Sequence, residues 1–239
     1  MSEDFLTQHQ RSKETSKHIE EYYARQGQKP LWREYLEVIV VAMVAATLLR
    51  VFVISAYQVS SGSMEDSLLE GDYIFVNKLA YQNREPQTGD IIVFDYPLNR
   101  DKTYIKRIVA LPGQTVEVID KVVYVDGVMA EIAPESKHTD PRVLAADLST
   151  RDNFGPAQAP AGHYFVMGDN YDESQDSRFW GFVGGEDIRG KAVFVYWSWE
   201  PGEQIDWAFP YIHQACFWFG RTLVDIPSRL RIDRLGMAL

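Results

Sequence analysis

The sequence predicts a mostly β fold, an antiparallel β-sheet domain behind a single N-terminal membrane-spanning helix. Three observations predict it. One long apolar run stands near the N-terminus, from Leu36 to Tyr57. After it come short apolar runs, each bounded by Gly, Pro or Asp. With 239 residues, 46% of them hydrophobic, the chain can bury one sizeable core or two small ones.

Residues 1–34 mix Gln, Glu, Lys and Arg and read as a cytoplasmic segment, with partial helix over Glu14 to Arg25. The span is placed at residues 35–57. Counted from Leu36 to Tyr57 it covers about 22 residues, or about 33 Å as a helix, which matches a bilayer core. A buried core helix is the alternative, and the run from Val38 to Leu49 alone would suit one. Arg50 is costly in lipid unless it snorkels, and it lies near one end. Both the polar leader and the span are too long for a cleaved signal peptide.

Orientation follows from the flanks. Arg11, Lys13, Lys17, Arg25, Lys29 and Arg33 precede the span, whereas from Gln58 to Lys78 the sole basic residue is Lys78. Positive charge marks the inner side, so the N-terminus is expected in the cytoplasm. Residues 58–239 are then expected on the outer face of the plasma (inner) membrane.

The β pattern begins at Tyr73 to Val76, after Gly71-Asp72, and continues at Ile91 to Phe94, after Gly89-Asp90. Tyr104 to Leu111 follows and stops at Pro112-Gly113. Thr115 to Ile119 and Val122 to Val125 flank Asp120-Lys121. Tyr164 to Met167 and Ala192 to Trp197 complete the set. Short strands punctuated in this way suit an antiparallel sheet. Residues 128–162, rich in Pro, Ala and Asp, read as a long excursion or small cap. Residues 203–225 form an aromatic segment with Trp207, Phe209, Tyr211, Phe217, Trp218 and Phe219. Such a segment either packs in the core or lies at the lipid interface.

Composition closes off some functions. A formal net charge of −10 argues against a nucleic-acid surface. The single cysteine, Cys216, excludes an intrachain disulfide. Five scattered His and one Cys give no zinc pattern, and no cofactor is expected. Asp169, Asn170, Asp172, Glu173 and Asp176 resemble the start of a calcium loop. That loop needs Gly at its sixth position and Glu at its twelfth, and neither is present, so no metal is expected.

Chemistry concentrates in Ser61-Gly62-Ser63-Met64, Tyr104-Ile105-Lys106-Arg107, Met167-Gly168-Asp169-Asn170 and Ser174-Gln175-Asp176-Ser177-Arg178. A serine hydroxyl needs a base to attack at neutral pH, and a lysine kept neutral by burial is such a base. Ser63 is the candidate nucleophile and Lys106 the candidate base. Strict alternation sets Tyr104, Lys106 and Ile108 on one face of a strand, where apolar neighbours would depress the lysine pKa. The plainer readings are a turn serine and an edge-strand surface lysine. His138 and His163 match no motif and read as structural.

These blocks resemble the type I signal peptidases, membrane-anchored Ser/Lys endopeptidases that remove signal peptides. The resemblance runs over Tyr57 to Tyr81, Gly89 to Pro112 and Tyr164 to Arg189, more faintly over Ile226 to Gly236, and covers about half the chain. It implies that Ser61 helps the Ser63 backbone N–H to form the oxyanion hole, although a linker serine is the plainer reading. It implies that Ser174 hydrogen-bonds and orients the Lys106 amine, and that Asp169, Asp176 and Arg178 support the site. Substrate contacts are expected at Val59, Met64, Tyr104 and Ile105. The substrates would be secretory preproteins with small residues one and three positions before the cut, met at the lipid surface. One position departs from the family, with Asp66 where proline is usual. The rival readings are a catalytically inactive, membrane-tethered peptide-binding β module and a Ser/Lys self-cleaving repressor. The span and the lack of a basic DNA-binding region argue against the repressor.

Overall fold

The computed structural model describes residues 17–18, 31–131, 133, 136–200 and 229–239. The aromatic segment and nearly all of the polar leader lie outside the described residues. The chain divides into two units, residues 1–50 and 51–239.

The first unit carries all but the last two residues of helix α1, Leu31–Phe52. Glu34 stands in its first turn and Arg50 in its last, each complementing the helix dipole. Among the described residues, α1 is the one helix long and apolar enough to cross a membrane. It starts and stops earlier than expected. The last part of the expected span is strand β1, Ile54–Gln58, paired antiparallel with β2, Asp72–Asn77, from Ile54↔Asn77 to Gln58↔Tyr73. The apolar run simply continues through the change from helix to strand, so hydropathy gives no boundary there. Ile54 and Tyr57 suit a pleated, half-buried surface.

The second unit holds two antiparallel sheets. The larger has seven strands in the order β1-β2-β11-β3-β4-β9-β10. Its remaining strands are β3 (Ile91–Tyr96), β4 (Asn99–Ala110), β9 (His163–Met167), β10 (Val183–Gly184) and β11 (Ile188–Ser198). The smaller sheet has the order β7-β6-β5-β8, from β5 (Thr115–Ile119), β6 (Val122–Val125), β7 (Val128–Met129) and β8 (Phe154–Gln158). The excursion is therefore partly built into the fold, because β8 pairs with β5.

Alternation explains the packing. In β2, Ile74 and Val76 are buried while the residues between them are half-buried. They join Val59, Met64, Leu68, Ile91, Val93, Ala192 and Val195 in one core cluster. Phe94 and Ile108 pack with Ile92, Tyr164, Val166 and Val183 in a second. A third joins Val116, Val118 and Val123 of the small sheet to Val109, Phe165 and Met167 of the large one. In β11, Gly190 has φ +156, and a Cβ there would meet the Asn77 carbonyl oxygen at 2.5 Å. It sits in the register shift between Ile188 and Gly190 opposite β3, the usual place for a glycine in a strand.

Candidate active site

Ser63 lies on the loop from β1 to β2. The loop's neck is closed by Val59 N–H donating to the Asp72 carbonyl (2.8 Å) and Gly71 N–H donating to the Val59 carbonyl (2.9 Å). Within it Gly62–Met64 makes a single 3₁₀ turn, which fixes Ser63 at 7% exposure. Met64 anchors the turn in the first core cluster at 1% exposure.

Lys106 comes from β4, which lies between β3 and β9, opposite Ile92 of β3. Its side chain is 4% exposed. The amine Nζ donates to Ser63 Oγ at 2.5 Å. Burial lowers the Lys106 pKa from 10.5 to about 8, overcoming the pull of Asp176 and Asp169, which raise it; Arg178 lowers it further. A neutral amine is thus accessible near neutral pH. Tyr104 on the same strand sets its ring 5.8 Å from Nζ. Ser61 is exposed, and its Oγ shares a hydrogen bond of 3.2 Å with Ser63 Oγ.

Ser63 and Lys106 open onto a cleft that is also lined by Val59, Met64, Tyr104 and Ile105. Glu173 and Gln175 form another part of its wall. Neither was singled out as a cleft residue by sequence. Both are exposed and flank buried Ser174, the alternation of an extended segment.

The charges near Ser63 and Lys106 form two ion pairs. Asp176 and Arg178 are buried and meet at 2.8 Å. Asp176 also caps the short helix α2, Ser177–Trp180, and accepts from the Gly168 N–H at 3.2 Å. Arg178 donates onward to the carbonyls of Tyr171 (2.6 Å) and Arg151 (2.7 Å). Asp169 receives a bidentate pair from Arg107, both bonds at 2.8 Å. Arg107 further donates to the Gly89 carbonyl (2.9 Å) and to Ser67 Oγ (3.1 Å), so it ties β4 to the loop behind Ser63. Asp172 takes Lys121 at 2.8 Å. Of the acids that resembled a calcium loop, Asp169, Asp172 and Asp176 therefore each face a cation.

Ser174 does not bond the Lys106 amine, which donates to Ser63 instead. Ser174 Oγ is buried without a partner among the described residues. Ser174 packs on Gly168, where a Cβ would fall 2.4 Å from its Oγ and 2.3 Å from the Ser63 carbonyl oxygen. The two histidines lie elsewhere in the hydrogen-bond network, His138 with Asp172 (3.3 Å) and His163 with the Ala161 carbonyl (3.0 Å).

Sequence reasoning missed Arg107 and Gly168. Alternation did place Arg107 on the face opposite Lys106, and a charge on that face was the signal. For Gly168 the available signal was a glycine between Met167 and Asp169, where the lack of a side chain allows a close backbone approach.

Comparison with known proteins adds a family. Residues 32–197 match the family model described as signal peptidase, peptidase S26. Signal peptidase I of Aquifex aeolicus (strain VF5) is 36% identical over 206 residues, covering 65% of this chain and 80% of that one. Signal peptidase I of Pseudomonas aeruginosa (strain PAO1) is 35% identical over 215 residues, covering 72% and 75%. The probable signal peptidase I-1 of Synechocystis sp. (strain PCC 6803) is 38% identical over 171 residues, covering 69% and 82%.

Proposed function

We propose, on the premise that this chain belongs to the signal peptidases of the peptidase S26 family, that Ser63 is its nucleophile and Lys106 its general base. The chain is a membrane signal peptidase, a serine endopeptidase that acts on signal peptides. The observation that carries the residue assignment is the 2.5 Å contact between Lys106 Nζ and Ser63 Oγ, both buried beside an open cleft.

The chemistry follows from that contact. With the amine neutral, the Ser63 hydroxyl donates along the same line, and Oγ attacks the scissile carbonyl as its proton passes to Nζ. The oxyanion accepts from the Ser63 backbone N–H and the Ser61 hydroxyl. Ser61 Oγ already lies 3.2 Å from Ser63 Oγ, so it needs only to rotate toward the new charge. The Lys106 ammonium then protonates the leaving amine. A water deprotonated by the same lysine releases the acyl group from Ser63. Asp169, Asp176 and Arg178 support this arrangement, and Ser174 lies against its back.

Preproteins with small residues one and three positions before the cut suit the cleft walled by Val59, Met64, Tyr104 and Ile105. The preprotein chain would lie extended and add main-chain hydrogen bonds. Helix α1 would anchor the enzyme as a single pass in the plasma (inner) membrane. The basic leader favours a cytoplasmic N-terminus, with α1 as the span and the domain from β1 onward on the outer face. No observation favours the inactive tethered module, which has no need of an assembled dyad.

The test is incubation of the purified full chain with a preprotein bearing its signal sequence, followed by mapping of the new N-terminus. Cleavage after a small residue, lost in Ser63→Ala, is expected. Cleavage by Ser63→Ala at the wild-type rate overturns the assignment.

A further inference from the structure

Ser63 is held by more than its own turn. Two and three residues further on, Glu65 and Asp66 carry carboxylates that both reach Lys137, at 3.3 and 3.1 Å. Lys137 belongs to the excursion between β7 and β8. Its own backbone is stitched to the segment after β9: Lys137 N–H donates to the Asp169 carbonyl at 2.9 Å, and Tyr171 N–H donates to the Lys137 carbonyl at 3.0 Å. Lys137 and Asn170 thus form an isolated parallel bridge. Asn170, fully buried, turns the other way. Its N–H donates to the Ser63 carbonyl at 3.1 Å, and its Nδ2 donates to Glu65 Oε2 at 3.3 Å.

Three segments far apart in sequence therefore meet at the turn that carries the nucleophile. The joint closes on itself, since Glu65 Oε2 receives both Asn170 and Lys137. The conformation it closes on is unusual. Asp66 has φ +79, in the left-handed region that residues other than glycine seldom adopt. The Asp66 carboxylate that ends this conformation is the one nearest Lys137 Nζ.

Taking Ser63 as the nucleophile, as proposed above, we infer that Lys137 is a positioning residue for the reaction, acting on Ser63 through the Glu65–Asp66 turn. It contributes little to global stability. The side chains of Lys137, Glu65 and Asp66 are 29%, 43% and 49% exposed, and ion pairs so placed are weak. Orientation of a nucleophile is sensitive to shifts far smaller than those that unfold a domain. The same exposure makes the clamp sensitive to salt.

The experiment uses the full chain in detergent and a fluorogenic peptide with alanine one and three residues before the cut. Wild type, Lys137→Met, Lys137→Arg, the double variant Glu65→Gln/Asp66→Asn and Ser63→Ala are compared at about 0.05 and 0.5 M salt. The expected result is a kcat lowered about 10-fold in Lys137→Met with KM within twofold of wild type, consistent with lost orientation rather than lost binding. Lys137→Arg should recover most of that loss. High salt should lower the wild-type kcat but leave that of Lys137→Met unchanged. If Lys137→Met does not fold, the double variant decides by the same readouts, because it removes the clamp from its other side. A wild-type kcat in the folded variant, or a loss that Lys137→Arg fails to recover, overturns the inference. Failure of the underlying reading looks different: Ser63→Ala would then cleave.

Discussion

Gly168 packs directly against Ser63: a Cβ on residue 168 would stand 2.3 Å from the Ser63 carbonyl oxygen and 2.4 Å from Ser174 Oγ. The first of these atoms is backbone and cannot swing away. Gly168→Ala should therefore move the turn that presents Ser63. A displacement of this size at the nucleophile costs on the order of 10²-fold in rate. Steady-state kcat measured beside a thermal melt checks it, and an alanine variant with wild-type kcat would show that the turn shifts harmlessly.

Asp66 occupies the position where the family usually has proline, and its backbone explains why proline would not serve here. Proline fixes φ near −65°, whereas Asp66 has φ +79. Asp66→Pro should cut activity by about 10²-fold or more by forcing the turn after Ser63 to rebuild. Asp66→Gly accepts the same φ freely and should lose no more than the roughly 10-fold expected when the Lys137 clamp is broken. The comparison isolates backbone from charge, since both variants remove the carboxylate. Equal activity of the proline and glycine variants would mean that the left-handed turn is not needed for cleavage.

Much of this arrangement was legible in the sequence. The runs bounded by Gly, Pro and Asp gave β2, β3, β5, β6 and β9 to within about a residue or two. The motifs bearing Ser63 and Lys106 converge on one contact, from Lys106 of β4 to Ser63 on the loop from β1 to β2. What stayed hidden had physical reasons. Strand β1 hid inside the apolar run of the helix, where hydropathy carries no period to mark the change. Strand β8 hid because Phe154-Gly155-Pro156 offers a turn signal in mid-strand. The Lys137 clamp hid because surface ion pairs between distant segments leave no local pattern. The sign of φ at Asp66 is likewise set by tertiary packing, not by its neighbours.

With Lys106 as the proposed base, its amine should set the pH dependence of cleavage. Its pKa is lowered from 10.5 to about 8, chiefly by burial, and only the neutral form accepts the Ser63 proton. The pH profile of kcat/KM should therefore rise through about pH 8 and level above it. Lys106→Arg should be inactive at every pH, because a guanidinium stays protonated. A profile flat from pH 6 to pH 9 on the wild type would remove Lys106 as the base.

The same burial has a stability cost. Between pH 8 and 10.5 the unfolded chain holds a proton on Lys106 that the folded chain has released, so stability rises with pH across that window. Below it the penalty is fully present, at about 3 kcal/mol for a fall from 10.5 to about 8. Lys106→Met should thus abolish cleavage yet raise stability at pH 7 by up to about 3 kcal/mol. Denaturant titration at pH 7 and pH 10 checks both the gain and its shrinkage as pH rises. A methionine variant less stable than wild type at pH 7 would mean that the lysine is solvated rather than buried.

Arg178 joins stability and chemistry in one side chain. It pairs with buried Asp176 at 2.8 Å, and its positive charge also helps to keep the Lys106 pKa low. Arg178→Gln removes both effects. Asp176 would be left as a buried charge without its partner, which costs about 3–5 kcal/mol. The unbalanced carboxylate, together with the loss of the guanidinium, would favour the ammonium form of Lys106. The midpoint of the kcat/KM profile should therefore move to higher pH than in wild type. Arg178→Lys keeps the charge while losing the bidentate geometry, so it should lose stability and shift the midpoint far less. Measuring both profiles separates a structural brace from an electrostatic one. If Arg178→Gln folds and its midpoint stays at the wild-type value, Arg178 acts on the fold alone and the Lys106 amine does not sense it.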